Sequence, residues 1–178
     1  QSTSDTETIL QLVAQSERKQ IVDKLIDALF QIHGAYSLVI LTNKKLIGVR
    51  DPYGIRPLVL GDLNGAPVLA SETCALDIIG AKFVREVENG EIIIISEKGM
   101  ESIKPFPKVA ERPCIFERIY FSRPDSMLGG NTVYTYRKNL GIELAKEHYV
   151  DADTVVPVPD SGVPDALGYA QQSNTPFE

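Results

Sequence analysis

Between residues 35 and 103 short β-rich runs alternate with turn signals, and beyond residue 113 that pattern stops. The runs are 35–41, 46–50, 58–61, 67–70, 83–87, 91–96 and 101–103. Asn64-Gly65, Asn89-Gly90 and Lys98-Gly99 separate three pairs of them, and Thr42-Asn43-Lys44-Lys45 separates the first two. Asn-Gly accepts the positive φ of a tight turn, so neighbouring runs are expected to pair as hairpins in an antiparallel sheet. After the proline- and charge-rich stretch 104–113 ("KPFPKVAERP") a different grammar begins. A strand at 115–121 is followed by a helix at 132–147, with Val133, Tyr136, Leu140 and Leu144 on one side. A continuous apolar strand at 154–158, of the kind buried on both faces of a parallel sheet, then runs into a polar loop and a helix from about Pro164. Helix, strand, tight loop, helix is the rhythm of an α/β domain with ligands at the carboxyl ends of its strands. The chain therefore reads as α+β over 1–110, joined by a linker to α/β over 111–178.

Helices precede the sheet. Ser4-x-x-Glu7 has the form of a capping box, and Ile9, Leu10 and Val13 follow at helical spacing. Ile21, Val22, Leu25, Ile26, Leu29 and Phe30 mark a second helix that Gly34 stops. A short helix is expected around 74–79.

Charge and cysteine content narrow the function classes. The chain has 178 residues and a net charge of −6 with no large basic patch. That argues against nonspecific nucleic-acid binding while leaving room for local phosphate sites. No run of 18 apolar residues occurs, so no membrane span is expected. Gln1-Ser2-Thr3-Ser4 carries no signal-peptide pattern. Two distant cysteines, Cys74 and Cys114, fit a reducing compartment better than a disulfide framework. Both ends look cut, and the expectation is an internal piece of a longer protein.

Two stretches carry chemistry. In "VVPVPDSGVPDALGYA", a strand delivers Asp160, Ser161 and Gly162 to a helix start. Backbone N–H groups there favour an anion. Asp160 and the Ser161 hydroxyl also suit a divalent cation riding on phosphates. The plainer alternative is that Asp160 or Ser161 caps the helix. In "GVRDPYGIRPLVLG", Pro52 and Pro57 fix φ and Gly54 permits positive φ. The loop is stiff and holds Arg50, Asp51 and Arg56 in fixed relation, either as a salt bridge to Asp51 or toward a ligand. Asp5 sits in the first turn of its helix, where an acid is electrostatically welcome. Cys114 reads as a buried thiol, and His33 and His148, at helix ends, as structural. No Walker loop, Gly-x-Gly-x-x-Gly, Ser-His-Asp set or metal-spaced His/Cys cluster is present in the sequence.

"SDTE", "GVRDPYGIRPLVLG", "ASETCALD", "PCIFERIYFSRPDS" and "VVPVPDSG", in that order over the whole chain, resemble the glutamine phosphoribosylpyrophosphate amidotransferases (amidophosphoribosyltransferases). The first three motifs are shared loosely with other N-terminal-nucleophile (Ntn) glutaminases, and the last two point to this family. The resemblance implies the C-terminal part of an Ntn-hydrolase αββα glutaminase domain at 1–110, followed by the start of a type I phosphoribosyltransferase domain at 111–178. It implies the first committed step of purine biosynthesis: glutamine, phosphoribosyl pyrophosphate (PRPP) and water give 5-phosphoribosylamine, glutamate and pyrophosphate.

By the same resemblance Asp5 recognises the α-amino group of glutamine. Asp160, Ser161 and Gly162 form the pyrophosphate loop, with Ser161 a Mg²⁺ ligand. Cys114 matches the first ligand of a 4Fe–4S cluster in the iron–sulfur members, though members without a cluster also keep a cysteine there, and the other ligands would lie beyond Glu178. "RDPYGIRPL" supports the glutaminase pocket without Arg56 being catalytic, and bracing that pocket makes Gly54→Val a change expected to impair glutamine hydrolysis more than folding. The segment 120–126 resembles the stretch beside the ammonia path. The partners implied are glutamine, PRPP and purine-nucleotide inhibitors, in a homotetramer without nucleic-acid or membrane partners. The compartment is the cytoplasm, or a plastid in a plant. The family's nucleophilic cysteine, its oxyanion Asn-Gly, its glutamine-gripping arginine and its acidic PRPP motif are absent from these residues, so the piece alone is expected to be inactive. Two alternatives stand beside this one. One is a non-catalytic phosphate- or nucleotide-binding regulatory fragment. The other is a different Ntn amidotransferase such as an asparagine synthetase, against which the last two motifs speak.

Overall fold

A computed structural model describes residues 4–178. In chain order the elements are α1 (Thr6–Gln15), α2 (Ile21–Leu29), β1 (Ser37–Leu41), β2 (Lys45–Arg50), β3 (Val59–Leu63), β4 (Ala66–Ala70), α3 (Thr73–Ile79), β5 (Lys82–Glu86), β6 (Ile92–Ser96) and β7 (Gly99–Ile103). A π-helical turn (Glu117–Phe121), the short pair β8 (Met127–Leu128) and β9 (Asn131–Thr132), α4 (Val133–Glu147) and α5 (Val163–Ser173) complete them. They fall into two compact units. One is the chain up to Ile55 with Glu88–Arg112, and the other is Arg56–Val87 with Pro113–Glu178.

In the first unit four antiparallel strands run in the order β1-β2-β6-β7. Ile47 faces Ile94 and Val49 faces Ile92 across the central pair. Side chains alternate along a strand, so these four share one face. Val22, Leu25 and Leu29 of α2, spaced three and four apart, pack into the same cluster with Tyr36. The helix thus forms because one apolar stripe meets one apolar strand face. Ile47 and Ile92 are fully enclosed, each contributing about 1.5–3 kcal/mol of burial.

Tyr36 has its phenol pushed up to about 12, first by burial and then by the charge of Asp51. The folded state therefore holds this proton more tightly than the unfolded chain. The associated stability is present below about pH 10, the unfolded value, and is lost as pH rises toward 12. Tyr36→Phe should remove that part of the alkaline loss, seen as a flatter plot of urea midpoint against pH. A slope unchanged by the substitution would assign the loss to other groups.

In the second unit a three-stranded antiparallel sheet runs β4-β3-β5, with a bulge between Leu60 and Gly61. The Asn64-Gly65 turn has φ 55° and 90°, and the Asp62 carboxylate accepts from Gly65 N–H at 3.0 Å. Leu76 of α3 packs on Val59 and Ala81. Helices α4 and α5 meet at glycines. A Cβ at Gly141 would overlap the Asp165 carbonyl, and one at Gly168 would overlap the Lys138 carbonyl.

Four expectations are corrected. The β-rich runs form two sheets rather than one, because β6 pairs with β2 while β5 pairs with β3. The Asn89-Gly90 turn is therefore real, with Gly90 at φ 70°, but joins no hairpin. Its Gly90 N–H donates to the Asp51 carbonyl at 3.1 Å, docking the turn on the 51–54 bend. Residues 115–121 are not a strand. Ser122 N–H donates to the Glu117 carbonyl at 3.0 Å, five residues back, so the segment satisfies its backbone by coiling. Residues 154–158 are not sandwiched in a sheet: Val155 makes one parallel bridge to Phe177, and Val156 and Val158 are exposed. On α4 the buried stripe is Val133, Arg137, Gly141 and Ala145, while Leu140 and Leu144 are exposed. Close approach of α5 at Gly141 decides which face turns inward.

Candidate functional site

The loop before α5 is built by one tight contact. Gly162 N–H donates to the Val158 carbonyl at 3.1 Å, and a Cβ at Gly162 would lie 2.7 Å from that same oxygen. Only glycine lets the backbone fold back so closely. The Pro159–Asp160 peptide is cis. Gly162 itself occupies the cap position of α5, and no side chain caps the helix. The alternative in which Asp160 or Ser161 serves as the N-cap is thereby excluded. Asp160 is exposed and Ser161 half-buried, so carboxylate and hydroxyl stand beside a helix start whose first N–H groups lack intrahelical partners. Pro164 sits in the first turn, where its missing N–H costs nothing. The site offers the positive end of α5 to an anion and oxygen donors to a hard cation. Mg²⁺ takes one or two protein oxygens and completes its shell with water and phosphate, which fits Asp160 and Ser161.

The other expected residues lie apart from that loop. Asp5, in the first unit, holds the cap position of α1 and is exposed, making no side-chain cap bond. The Glu7 N–H donates to the Ser4 carbonyl at 3.2 Å in the same turn. Asp51 is fully buried. Its carboxylate accepts from Tyr53 N–H at 2.9 Å and from Ile55 N–H at 3.0 Å, and its carbonyl accepts from Gly54 N–H at 3.0 Å. Arg50, also buried, donates to the Gly54 carbonyl at 3.4 Å. The stiffness of "RDPYGIRP" thus comes chiefly from a buried carboxylate that replaces a missing strand partner for the bend.

Arg56 falls in the second unit. Its Nη1 lies 2.8 Å from Glu117 Oε1 as an ion pair outside hydrogen-bond alignment, and its guanidinium covers the Phe121 ring at 4.8 Å. Cys114 is half-buried and free, and its carbonyl accepts from Glu117 N–H at 3.2 Å. Among the described residues no three His, Cys, Asp or Glu side chains gather as a metal site. A 4Fe–4S cluster takes four thiolates. The donor set around Cys114 does not fit one, and no chemistry is routed through it.

Four residues that the sequence did not single out tie segments of the second unit together. Glu72 of "ASETCALD" accepts from Arg123 N–H and Ser126 Oγ, both at 2.8 Å, and Thr73 Oγ1 accepts from Met127 N–H at 2.8 Å. These bonds pin "FSRPDS" onto the start of α3. Buried Glu117 accepts from Ser122 Oγ at 3.1 Å. Arg137 is 1% exposed and donates to the carbonyls of Arg118 and Ser122. Burial lowers the Arg137 pKa, and burial raises that of Asp165 on α5 against the pull of Arg137. For Glu72 and Thr73 the available signal was the motif "ASETCALD", whereas Arg137 lies in none of the motifs.

Comparison with known proteins bears on what this arrangement belongs to. Residues 1–77 match the model of the glutamine amidotransferase domain family. An amidophosphoribosyltransferase of Rhizobium etli is 60% identical over 100% of the chain, and a chloroplastic amidophosphoribosyltransferase of Glycine max is 49% identical over 99%. The solved glutamine PRPP amidotransferase of Bacillus subtilis, complexed with ADP and GMP, superposes with a TM-score of 0.96 at 44% identity over the whole chain. Over its whole length the chain is similar to amidophosphoribosyltransferases. It spans 37% of the Rhizobium amidophosphoribosyltransferase, 31% of the soybean one and 39% of the solved B. subtilis chain. All five motifs of the resemblance lie within the stretch that the amidophosphoribosyltransferases share with it. No helix among the described residues is long and apolar enough to cross a membrane.

Proposed function

We propose that this chain is a section of a glutamine-dependent amidophosphoribosyltransferase, joining the rear of an Ntn glutaminase domain (1–110) to the front of a type I phosphoribosyltransferase domain (111–178). Glutamine is hydrolysed to glutamate and ammonia. Ammonia then displaces pyrophosphate from the sugar carbon of PRPP to give 5-phosphoribosylamine, the opening step of purine biosynthesis. The observation that carries this is the 160–162 loop. Gly162 lets its backbone fold back onto Val158, and neither Asp160 nor Ser161 caps α5. Nearly half-identical sequence across the whole chain supports it.

Each residue has a role in that scheme. The positive end of α5 receives the diphosphate. Ser161, with Asp160 beside it, would hold Mg²⁺, which would supply charge compensation for phosphate oxygens. The exposed Asp5 carboxylate pairs with the α-ammonium of glutamine as a charge-assisted contact. Cys114 would join a cluster only with three ligands supplied from beyond Glu178. Purine nucleotides are the expected inhibitors, in keeping with the ADP and GMP named for the B. subtilis protein, and a homotetramer the expected assembly. The cytoplasm, or a plastid in a plant, is the expected compartment.

The test is an assay of the full-length protein with PRPP, Mg²⁺ and either glutamine or ammonium, with iron measured in the same sample. Gly162→Ala should lower phosphoribosylamine formation from both nitrogen donors about tenfold or more, because the added methyl meets the Val158 carbonyl and shifts the loop out of position. Glutamine hydrolysis should survive it. A wild-type protein that releases no pyrophosphate under these conditions would refute the assignment.

A further inference from the structure

Arg137 lies in the second turn of α4, yet it is 1% exposed. Its Nε donates to the Arg118 carbonyl at 2.7 Å and its Nη2 to the Ser122 carbonyl at 2.9 Å. Those carbonyls stand at the two ends of the π-helical turn, so one planar fork spans it. Inside the turn the Ser122 hydroxyl donates to Glu117 Oε2 at 3.1 Å. Carbonyls at a helical C-terminus lack internal partners, and a guanidinium with five donors satisfies two at once. Asp165 and Glu72 supply opposing charge, but neither hydrogen-bonds the guanidinium among the described residues. A buried cation without a bonded carboxylate carries a desolvation penalty that an apolar side chain would avoid. What the arginine adds in return is fixed geometry.

That geometry has two ends. Arg137 rides on α4, and α4 is locked to α5 by backbone contact at Gly141 and Gly168. Helix α5 begins directly from the 160–162 loop. We propose that Arg137 is a positioning residue that holds the 117–122 turn in register with the helix pair carrying the 160–162 loop. Resting on the function proposed above, in which residues 120–126 flank the ammonia path, the fork keeps that path aligned. It touches neither glutamine nor PRPP and acts through the carbonyls of Arg118 and Ser122.

The experiment compares R137M and R137K with wild type in the full-length enzyme, measuring phosphoribosylamine formation from glutamine and from added ammonium. In R137M the glutamine-driven rate should fall at least about tenfold while the ammonium-driven rate stays within about twofold, since ångström-scale misplacement is costly for transfer. Amide exchange across 117–122 should quicken roughly tenfold with 163–173 unchanged. R137K, which keeps charge but not the fork, should lie between. Equal losses from both nitrogen donors, no loss at all, or equally faster exchange in α5 would each overturn the proposal. If R137M does not accumulate as folded protein, the same ratios in R137K decide. A wild-type enzyme without either activity would sink the functional assignment together with this inference. An active wild type with parallel losses would sink this inference alone.

Discussion

Gly141→Ala should lower stability by about 2–4 kcal/mol, although alanine is the better helix former by about 1 kcal/mol. Gly141 and Gly168 face each other's helices at the α4–α5 crossing. A Cβ at Gly141 would overlap the Asp165 carbonyl oxygen, lying 2.7 Å from its carbon and 2.9 Å from the Tyr169 nitrogen. A Cβ at Gly168 would overlap the Lys138 carbonyl oxygen and lie 3.2 Å from the Ile142 nitrogen. The obstacles are backbone, which cannot rotate aside, so the helices must part along their shared length. Parting them also disturbs Arg137, one turn from Gly141. The measurement is the urea midpoint of Gly141→Ala, Gly168→Ala and the pair. The double variant should lose less than the sum of the singles, because the second methyl enters a crossing already opened. A midpoint raised by either single change would mean that helix propensity wins and the crossing is slack.

Gly54→Val should cost about 2–4 kcal/mol of stability, so that loss of folding precedes any selective loss of glutamine hydrolysis. This revises the expectation drawn from the loop's stiffness alone. Gly54 sits at φ 64°, where a β-branched residue is strained whatever the space around it. A Cβ there would also overlap Oδ1 and Cγ of Asn89 and lie 2.7 Å from its Nδ2. Gly54 N–H and Gly90 N–H both donate to the Asp51 carbonyl, so the two bends are a single packed unit. Combining Gly54→Ala with Asn89→Ala separates the causes. Removing the amide should recover the packing part and leave about 1–2 kcal/mol of backbone strain. Full recovery in the double variant would show that the left-handed backbone costs nothing here. Glutamine hydrolysis lost at wild-type stability would restore the original expectation.

Why the site was partly legible can be argued from particular residues. Pro164, Gly162 and the polar pair before them announced a helix from about Pro164, and α5 begins one residue earlier, at Val163. The sequence left open whether Ser161 capped that helix, because hydroxyl direction depends on how the chain folds back to Val158. Glu72 gave no sign of its partners, since Arg123 and Ser126 lie more than fifty positions away. Residues 115–121 looked like a strand because aromatic and β-branched content does not by itself separate a strand from a helical turn. Only the guanidinium of Arg137, arriving from another helix, distinguishes them.

Taken alone, the sequence determined which stretches are extended and which helical in the first unit, where the Asn64-Gly65, Lys98-Gly99 and Thr42–Lys45 turns lie, and which five motifs recur together. Those properties are local. Turn chemistry depends on a residue's own φ, and periodicity on its nearest neighbours along the chain. Tertiary structure alone decided that Asn89-Gly90 would close no hairpin and that seven strands would part into two sheets. It also decided that α4 would turn Arg137 and Gly141 inward instead of Leu140 and Leu144. Each of these is a competition between distant surfaces for the same partner, and close backbone approach at a few glycines settles it through contacts that no window of sequence contains.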